Sequence, residues 1–347
     1  MDSTTSRRTG RVRLTLPIPP FRPRWPWIGG DLQTVRNTVF EVLGLGRIDL
    51  EAEGFEQIRF TFPMPDGSDD RLMGTLNRPL VEREGGPLML LIHGLAGCET
   101  SSYMLTTAKA LLEAGYRVLR LNLRGAGPTR SLCRGMYHAG RSEDLHAVLN
   151  QLAPQIAGDG VVIVGYSLGG NMLLKALGER GKIRGVVGAV SVSAPVDLKM
   201  TQKTVMLPRN RLYHGRILQA LIKQSLAGAS DPTEALRAAA ASARSVYEFD
   251  DVFVAPRNGF AGADAYYEAC SARRFVHHIK TPTLIVHAKD DPWIPIDCYR
   301  DVEESKPASV LTIYPPSGGH VGFHTKGLSI PWHDRLIVSF VDRLSLV

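Results

Sequence analysis

From residue 88 onward, short apolar runs alternate with segments whose apolar residues recur at helical spacing. Strands are predicted at 88–92, 117–123, 161–165, 185–192, 283–287 and 310–313, and helices at 103–114, 143–156, 171–180, 297–304 and 334–344. Fully apolar strands that alternate with helices are typical of a parallel sheet buried on both faces. The pattern therefore predicts an α/β fold with a mostly parallel central sheet and helices on both faces.

Two segments depart from this alternation. After a short helix predicted at 31–43, residues 56–62 and 71–77 read as strands joined by the turn sequence Pro-Asp-Gly-Ser, which predicts an antiparallel hairpin. Residues 196–278 look helical, with helices predicted at 212–226 and 232–245 and an aromatic-rich loop after them. An insertion of this length, just past the strand at 185–192, predicts a cap over the functional site.

Residues 1–30 are rich in proline and arginine. Proline at this density excludes helix and central strand, so we predict an extended arm that lies on the domain and is anchored by Phe21, Trp25 and Trp27. The α/β core is then predicted at 31–195 and 279–347, and the cap at 196–278.

The arm also explains the basic charge of the chain. The 347 residues include 41 Lys and Arg against 34 Asp and Glu, a formal net charge of +7. The first thirty residues supply six arginines against Asp2, a surplus of five (6 − 1), so the remaining chain is close to neutral. Nucleic-acid binding needs basic charge clustered on a folded face, so we expect no nucleic-acid partner.

Cysteine spacing and hydropathy bear on cofactors and location. The four cysteines are Cys98, Cys133, Cys270 and Cys298. They show neither C-x-x-C pairing nor metal-ligand spacing, so we expect no metal and no cofactor. No apolar stretch is long enough for a transmembrane helix, and the arm lacks the apolar core of a signal peptide. We therefore expect a cytoplasmic protein without stable membrane insertion; the sequence leaves its oligomeric state open.

The stretch Gly165-Tyr166-Ser167-Leu168-Gly169 lies between a predicted strand and a predicted helix. In that position G-x-S-x-G is typical of a nucleophile elbow, a sharp turn that lifts the serine hydroxyl above the sheet edge. Glycines two residues before and after the serine let strand and helix approach closely. We predict Ser167 as a nucleophile; the alternative is an ordinary glycine-rich turn with a solvent-facing serine.

A serine nucleophile needs a base and an acid that orients the base, and in this fold they follow in the order Ser, acid, His. The strand at 283–287 leads into Asp290 and Asp291, and the last strand leads into a glycine-rich loop with His320. We predict His320 as the base and Asp291 as the acid, because Asp-Pro-x-Ile-Pro resembles the acid loop of many α/β hydrolases. Asp290 is then a surface or supporting carboxylate, and His324 a structural residue.

Oxyanion stabilisation in such enzymes comes from backbone N–H groups. One donor should be Leu168, the residue after the nucleophile. The other should lie in the loop after the strand at 88–92, whose sequence His-Gly-Leu-Ala-Gly makes Leu95 the predicted donor and His93 a hydrogen-bonded loop residue. A phosphate cradle is the alternative for this loop, but the glycine spacing of phosphate-binding motifs is missing.

Further short motifs occur in order along nearly the whole chain: Leu32-Gln33-Thr34, His93-Gly94-Leu95, Asn122-Leu123-Arg124-Gly125, Tyr137-His138-x-Gly140, Glu248-Phe249-Asp250, Tyr266-Tyr267, Asp290-Asp291-Pro292 and Gly319-His320-x-Gly322. This set resembles the YheT-like branch, family 4, of the α/β hydrolases. The resemblance implies the α/β-hydrolase fold, the triad Ser167, Asp291 and His320, and carboxylesterase or acylglycerol-lipase-like activity. Asp31 and Cys98 depart from the family pattern, which often has histidine and serine there.

The predicted function is therefore a serine hydrolase of carboxylic esters, acting through an acyl-enzyme on a small-molecule ester or lipid-like acyl substrate. A thioesterase or amidase would use the same three residues, because the triad does not choose the leaving group. A catalytically idle receptor for small molecules is the alternative from another class, and the complete triad argues against it.

One helix of the predicted cap carries an apolar face, formed by Leu212, Ile217, Leu218, Leu221 and Ile222. Two interpretations stay open for it. The face packs on the core domain, or part of it lines an acyl pocket above the serine. For the second case the predicted substrate-binding residues are Leu218, Phe253, Phe260, Tyr266 and Tyr267.

Overall fold

The computed structural model describes residues 16–227 and 233–344. Residues 1–15, 228–232 and 345–347 lie outside the described residues. They comprise half of the predicted arm, a short piece of the predicted cap and the last residues of the predicted core.

Eight strands form one sheet in the described part of the chain: β1 (Glu56–Pro63), β2 (Arg71–Arg78), β3 (Leu88–Ile92), β4 (Val118–Asn122), β5 (Val161–Tyr166), β6 (Val186–Val192), β7 (Thr283–Val286) and β8 (Val310–Ile313). Their order is β1-β2-β4-β3-β5-β6-β7-β8. The first two pairings are antiparallel and the others parallel. Each strand lies within one residue of its predicted bounds, and the mostly parallel sheet is confirmed.

The helices are α1 (Gly30–Val42), α2 (Ser102–Glu113), α3 (Ser142–Gln151), α4 (Pro154–Ala157), α5 (Leu168–Arg180), α6 (Leu198–Val205), α7 (Arg211–Leu226), α8 (Glu234–Ser242), α9 (Val246–Phe249), α10 (Ala255–Arg257), α11 (Ala263–Cys270), α12 (Arg300–Ser305) and α13 (Trp332–Leu344). The helix predicted at 143–156 is divided, because Pro154 cannot continue α3 and instead begins α4. The helix predicted at 297–304 begins as a 3₁₀ turn, Ile296–Tyr299, before α12.

Helices cover both faces of the sheet. In β3, Leu88, Leu90 and Ile92 join a core with side chains of α3 and α5, whereas Met89 and Leu91 join a second core with α2 and α13. Successive strand residues point to opposite faces, so a strand that is buried on both sides must be apolar throughout. This explains why the predicted strands appear as uninterrupted apolar runs.

The segment between β6 and β7 contains α6 to α11. The prediction of an aromatic-rich loop after residue 245 is wrong, because this stretch forms α9, a π-helical turn at Asp250–Val254, α10 and α11. Phe249 and Phe253 are buried in a small cluster with residues of α7 and α8. Tertiary packing of this kind overrides weak local propensity. The cap boundaries at 196 and 278 stay a prediction.

The described part of the predicted arm lies against the core. Phe21 packs edge-on against Trp332, with ring centroids 5.6 Å apart, and Trp27 packs against Phe40 at 6.0 Å. Trp25 does not serve as an anchor, since it is 80% exposed. Anchoring therefore depends on which aromatic ring finds a packing partner, and the proline-rich sequence alone does not indicate this.

Candidate active site

Ser167 occupies the turn between β5 and α5 with φ 50° and ψ −120°. A non-glycine residue at positive φ is strained, and this strain is the mark of a nucleophile elbow. The flanking glycines are required sterically. A Cβ atom at Gly165 would lie 2.6 Å from the Gly169 carbonyl oxygen, and one at Gly169 would lie 2.5 Å from the His93 carbonyl oxygen.

The structure brings the three predicted triad side chains together. His320 Nε2 lies 3.0 Å from Ser167 Oγ, and His320 Nδ1 lies 2.8 Å from Asp291 Oδ2. The three residues follow β5, β8 and β7, whose carboxyl ends meet at one edge of the parallel sheet. This arrangement can move a proton from the serine to a histidine that a carboxylate orients.

The Asp291 side chain is fully buried, and both of its carboxylate oxygens accept hydrogen bonds. Oδ1 accepts the N–H groups of Trp293 and Ile294 at 2.9 and 3.1 Å. Burial by itself would raise the pKa of Asp291, but the charge and hydrogen bond of His320, aided by His287, hold that pKa below its ordinary value. The carboxylate therefore stays ionised beside the imidazole.

Asp290 has a different position from its neighbour. Its Oδ1 accepts the Gly319 N–H at 2.9 Å, so this carboxylate holds the backbone of the loop that carries His320. The two adjacent aspartates thus contact different parts of that loop. Asp291 bonds to the side chain of His320, and Asp290 bonds to the backbone at Gly319.

Helix α1 also holds the histidine loop, a contact that the sequence analysis missed. The His320 N–H donates to Thr34 Oγ1 at 2.8 Å, and the His324 N–H donates to Gln33 Oε1 at 2.6 Å. The Trp293 ring packs over the His320 ring with centroids 4.3 Å apart. The Leu-Gln-Thr motif was the available signal, but nothing in its sequence tells which distant loop it contacts.

Two tyrosines position the loop after β3, the half-buried Tyr103 and the buried Tyr137. The Gly94 N–H donates to the Tyr103 hydroxyl at 2.9 Å, and the Ala96 N–H donates to the Tyr137 hydroxyl at 2.7 Å. Within the described residues, the Leu95 N–H between them has no hydrogen-bond acceptor. The loop therefore keeps one amide available and commits the amides on either side of it.

Leu168 is the first residue of α5, where N–H groups lack intrahelical acceptors and the helix dipole favours negative charge. The predicted oxyanion donors Leu95 and Leu168 line the same cavities. His93 is buried behind this loop, with Nδ1 2.8 Å from the Gly94 carbonyl oxygen and Nε2 accepting the Leu123 N–H at 3.1 Å. Burial lowers the pKa of His93 to about 4, so it is a neutral loop residue, as predicted.

Two adjoining cavities lie at the site. The larger, of about 570 Å³, is lined by Ser167 and His320, and its apolar wall includes Leu198, Val205, Ile217, Ala220, Leu221 and Trp293. The smaller, of about 350 Å³, has a wall rich in polar side chains. Residues on the wall common to both are Leu95, Leu168, Leu221, Asp250 and Tyr266.

The predicted pocket residues divide between these cavities and other places. Tyr266 lines both cavities, Tyr267 the larger and Phe253 the smaller. Leu218 lines neither, because it is buried in the cluster between α7, α8 and α9. Phe260 also lines neither, since its ring packs against His138 and Tyr266. Their assignment to the pocket was wrong.

The predicted apolar face of α7 needs a correction at one position. Leu212 is 84% exposed, whereas Leu221, further along the same helix, is 6% exposed and lines both cavities. Periodicity identifies the apolar side of a helix but not where along its length the core begins.

Three further observations concern the chemistry of the described residues. None of their His, Cys, Asp and Glu side chains form a cluster able to hold a metal ion. The four cysteines are free thiols, and Cys133, Cys270 and Cys298 are buried. No described helix combines the length and apolar character that crossing a membrane requires.

Comparison with known proteins places the chain in a family. Residues 87–327 match the α/β hydrolase fold family. The putative esterase YheT of Escherichia coli (strain K12) is 32% identical, over 77% of this chain and 80% of that protein. Monoacylglycerol lipase of Saccharomyces cerevisiae is 24% identical, over 74% of this chain and 59% of the lipase.

Among solved structures, the esterase Pf2001 of Pyrococcus furiosus superimposes with a TM-score of 0.57, over 86% of this chain and 95% of that one. Its identity is 16%, so the likeness concerns the fold. Given the extent of the family match and the identity to the Escherichia coli relative, the chain belongs to the YheT-like branch of the α/β hydrolase fold family.

Proposed function

We propose that the protein is a serine hydrolase of carboxylic esters that works through an acyl-enzyme intermediate. The observation that carries the proposal is the pair of contacts from Ser167 to His320 and from His320 to Asp291, at 3.0 and 2.8 Å, on the wall of a mainly apolar cavity. Similarity to a putative esterase and to a monoacylglycerol lipase supports an ester of a small molecule or lipid-like acyl group as substrate.

In the proposed mechanism, Ser167 Oγ attacks the ester carbonyl carbon while its proton passes to Nε2 of neutral His320. Asp291, held ionised in its buried site, accepts the Nδ1–H and stabilises the imidazolium. The N–H groups of Leu95 and Leu168 bind the oxyanion. The tetrahedral intermediate collapses when the C–O bond to the alcohol breaks and His320 returns the proton to the departing oxygen.

Deacylation repeats these steps with water as the nucleophile. His320 takes a proton from water, the hydroxide oxygen attacks the acyl carbonyl, and the bond to Ser167 Oγ breaks. The proton then returns to the serine and the carboxylic acid leaves. Since the same base acts twice, His320 must be neutral at the start of each half-reaction.

A fluorophosphonate probe tests the proposal directly, because it forms a covalent bond with an activated serine. Wild-type protein should be labelled and should hydrolyse p-nitrophenyl esters. Ser167→Ala should lose both, with hydrolysis falling by about four to six orders of magnitude. Ser102→Ala is the matched control, since Ser102 lines the same cavity, whereas the His320 ring bonds to Ser167 and Asp291.

Labelling of Ser167→Ala at the wild-type level would contradict the assignment of the nucleophile. A folded wild-type protein that neither reacts with the probe nor hydrolyses esters would favour a binding protein. Matched butyryl ester, thioester and amide substrates then separate an esterase from a thioesterase or amidase. The rate enhancement over the uncatalysed reaction is expected to be largest for the ester.

A further inference from the structure

The two cavities meet where the ester carbonyl would be held. Leu95 and Leu168, the proposed oxyanion donors, both lie on the wall that the cavities share. The acyl chain and the alcohol of an ester extend from opposite sides of the carboxyl group. An ester whose carbonyl is bound at these two amides can therefore place its acyl chain in one cavity and its alcohol in the other.

The two cavities differ in the chemistry of their walls. Aliphatic side chains of α6 and α7 form much of the larger one, which suits an acyl chain. The smaller one is bordered by a polar set comprising Asp70, Arg124, Arg134, His138, Arg141 and Asn258. An alcohol arm that carries polar groups fits the smaller cavity better than an alkyl chain does, because an alkyl group would displace water from these charged and polar side chains without offering them hydrogen bonds.

Asp250 stands on the shared wall. It is the first residue of the π-helical turn Asp250–Val254, a type of distortion that frequently occurs at functional sites. Its Oδ2 accepts a hydrogen bond from the Tyr267 hydroxyl at 2.6 Å. Among the described residues, Oδ1 accepts none. Half-buried and facing both cavities, this carboxyl presents an oxygen to whatever they contain.

Burial raises the pKa of Asp250 to about 7, against the opposing effect of the Tyr267 hydrogen bond. Near neutral pH the carboxyl is thus present both with and without its proton, so it can donate or accept a hydrogen bond. A hydroxyl group is the matching partner, since it also does both.

We propose that Asp250 and Tyr267 form a subsite that binds a hydroxyl group on the alcohol arm, so that esters of polyhydric alcohols are preferred over simple alkyl esters. The inference rests on the proposed function and extends it to the alcohol. A cationic alcohol arm fits less well, because the arginines that border the smaller cavity (Arg124, Arg134, Arg141 and Arg257) outnumber its aspartates (Asp69, Asp70 and Asp250). Asp250 lies on the wall that the two cavities share, together with the proposed oxyanion donors Leu95 and Leu168, and Tyr267 holds its other carboxyl oxygen.

The test compares kcat/KM for glycerol monobutyrate with kcat/KM for n-propyl butyrate. The acyl group and the three-carbon alcohol skeleton are the same, and only the two free hydroxyls differ. The wild-type protein should favour the glycerol ester. In Asp250→Leu the ratio of the two values should fall at least about tenfold, and in Tyr267→Phe about three- to tenfold.

Tyr247→Phe is the matched control. Its ring packs against Tyr267 with centroids 6.3 Å apart, but Tyr247 lines neither cavity. Removing this hydroxyl should leave the ratio at the wild-type value. Tyr267→Phe keeps the aromatic ring, so it decides the question if Asp250→Leu does not fold.

An unchanged ratio in Tyr267→Phe and in any folded Asp250→Leu overturns the subsite. So does an equal fall on both esters, which would mean general damage to the site. Butyrylcholine is the third substrate, and if it is preferred over the glycerol ester and loses most in Asp250→Leu, the carboxylate pairs with a cation instead. Fluorophosphonate labelling of each variant reports Ser167 separately, so failure of the subsite is distinguishable from failure of the proposed hydrolase activity.

Discussion

The sheet edge that carries Ser167, Asp291 and His320 and the helical segment above it are organised in different ways. Each of the three residues follows a parallel strand and is held by its surroundings. Ser167 has a positive φ, Asp291 accepts hydrogen bonds from backbone N–H groups, and α1 contacts the loop that carries His320. The segment from α6 to α11 has no such frame. Helices α7 to α9 pack around a small cluster of their own, whereas α6 and α11 join the main core, and cavities lie between this segment and the sheet.

From this difference we expect the proposed reaction chemistry and the choice of substrate to depend on separate parts of the chain. The sheet edge should respond to substitution with large changes in kcat. The helical segment should respond with smaller changes that depend on the substrate.

The largest expected effect is at the sheet edge, in the pair of adjacent aspartates. Asp291→Asn should lower kcat by about 10⁴, because the amide can no longer hold the correct His320 tautomer or stabilise its charge. Asp290→Asn should cost far less, since Asp290 contacts the Gly319 N–H. Steady-state kinetics on a p-nitrophenyl ester measures both, and the opposite ranking would reverse their assigned roles.

The connection between the two regions should show an intermediate effect. The Tyr137 hydroxyl accepts the Ala96 N–H at 2.7 Å and donates to Gln224 Oε1 of α7 at 3.0 Å. Tyr137→Phe should lower kcat by about ten- to a hundredfold with little change in KM, because the Leu95 amide is no longer held in place.

Gln224→Met is the control for that experiment, since it keeps the Tyr137 bond to the loop and removes only the bond to α7. Its kcat should stay closer to the wild-type value. Equal losses in the two variants would mean that the contact with the helical segment, rather than the loop, controls the rate.

A smaller effect is expected within α7 itself. Leu221 lines both cavities, whereas Leu212 is 84% exposed. Each buried methylene contributes about 0.8 kcal/mol, or about fourfold in kcat/KM. In a series of p-nitrophenyl esters, Leu221→Ala should shift the preferred acyl length while Leu212→Ala should not. A shift of the same size in both variants would place the acyl chain outside these cavities.

The last expected effect is on stability and leaves the rate aside; it concerns the core behind the elbow. Asp334 is completely buried in α13, and burial raises its pKa to about 7. Between about pH 4 and pH 7 the folded state keeps this proton and the unfolded state has lost it, so the contribution of Asp334 to stability falls as pH rises. Asp334→Asn does not titrate. Its stability relative to wild type should therefore increase over that interval by up to about 1.4 kcal/mol per pH unit.

Urea unfolding of both proteins at several pH values measures that difference. Thr107 donates to the Asp334 carboxyl, and the amide oxygen of the variant can accept the same bond. A difference that does not vary with pH would mean that Asp334 does not keep its proton in the folded state.

The sequence by itself determined the strands, their mostly parallel character and the residues at the reacting end of the sheet. Buried strands must be apolar along their whole length, so 88–92 and 161–165 are visible without any tertiary information. The elbow is also visible in the sequence: Gly165 leaves room for the Gly169 carbonyl within the same turn, although the reason for Gly169, the His93 carbonyl after β3, is a tertiary contact. With the order of serine, acid and histidine, three distant residues could be predicted to meet, and the structure brings them within hydrogen-bond distance.

Only the tertiary structure decided which surfaces face one another. That Thr34 holds the His320 backbone, that Tyr103 and Tyr137 bracket Leu95, and that Asp250 borders two cavities all depend on segments far apart in the chain. Hydrophobic periodicity reports that a side chain is buried but not what covers it. For that reason Leu218 and Phe260 were wrongly expected to line the pocket: Leu218 is buried in the cluster of α7, α8 and α9, and the Phe260 ring packs against His138 and Tyr266.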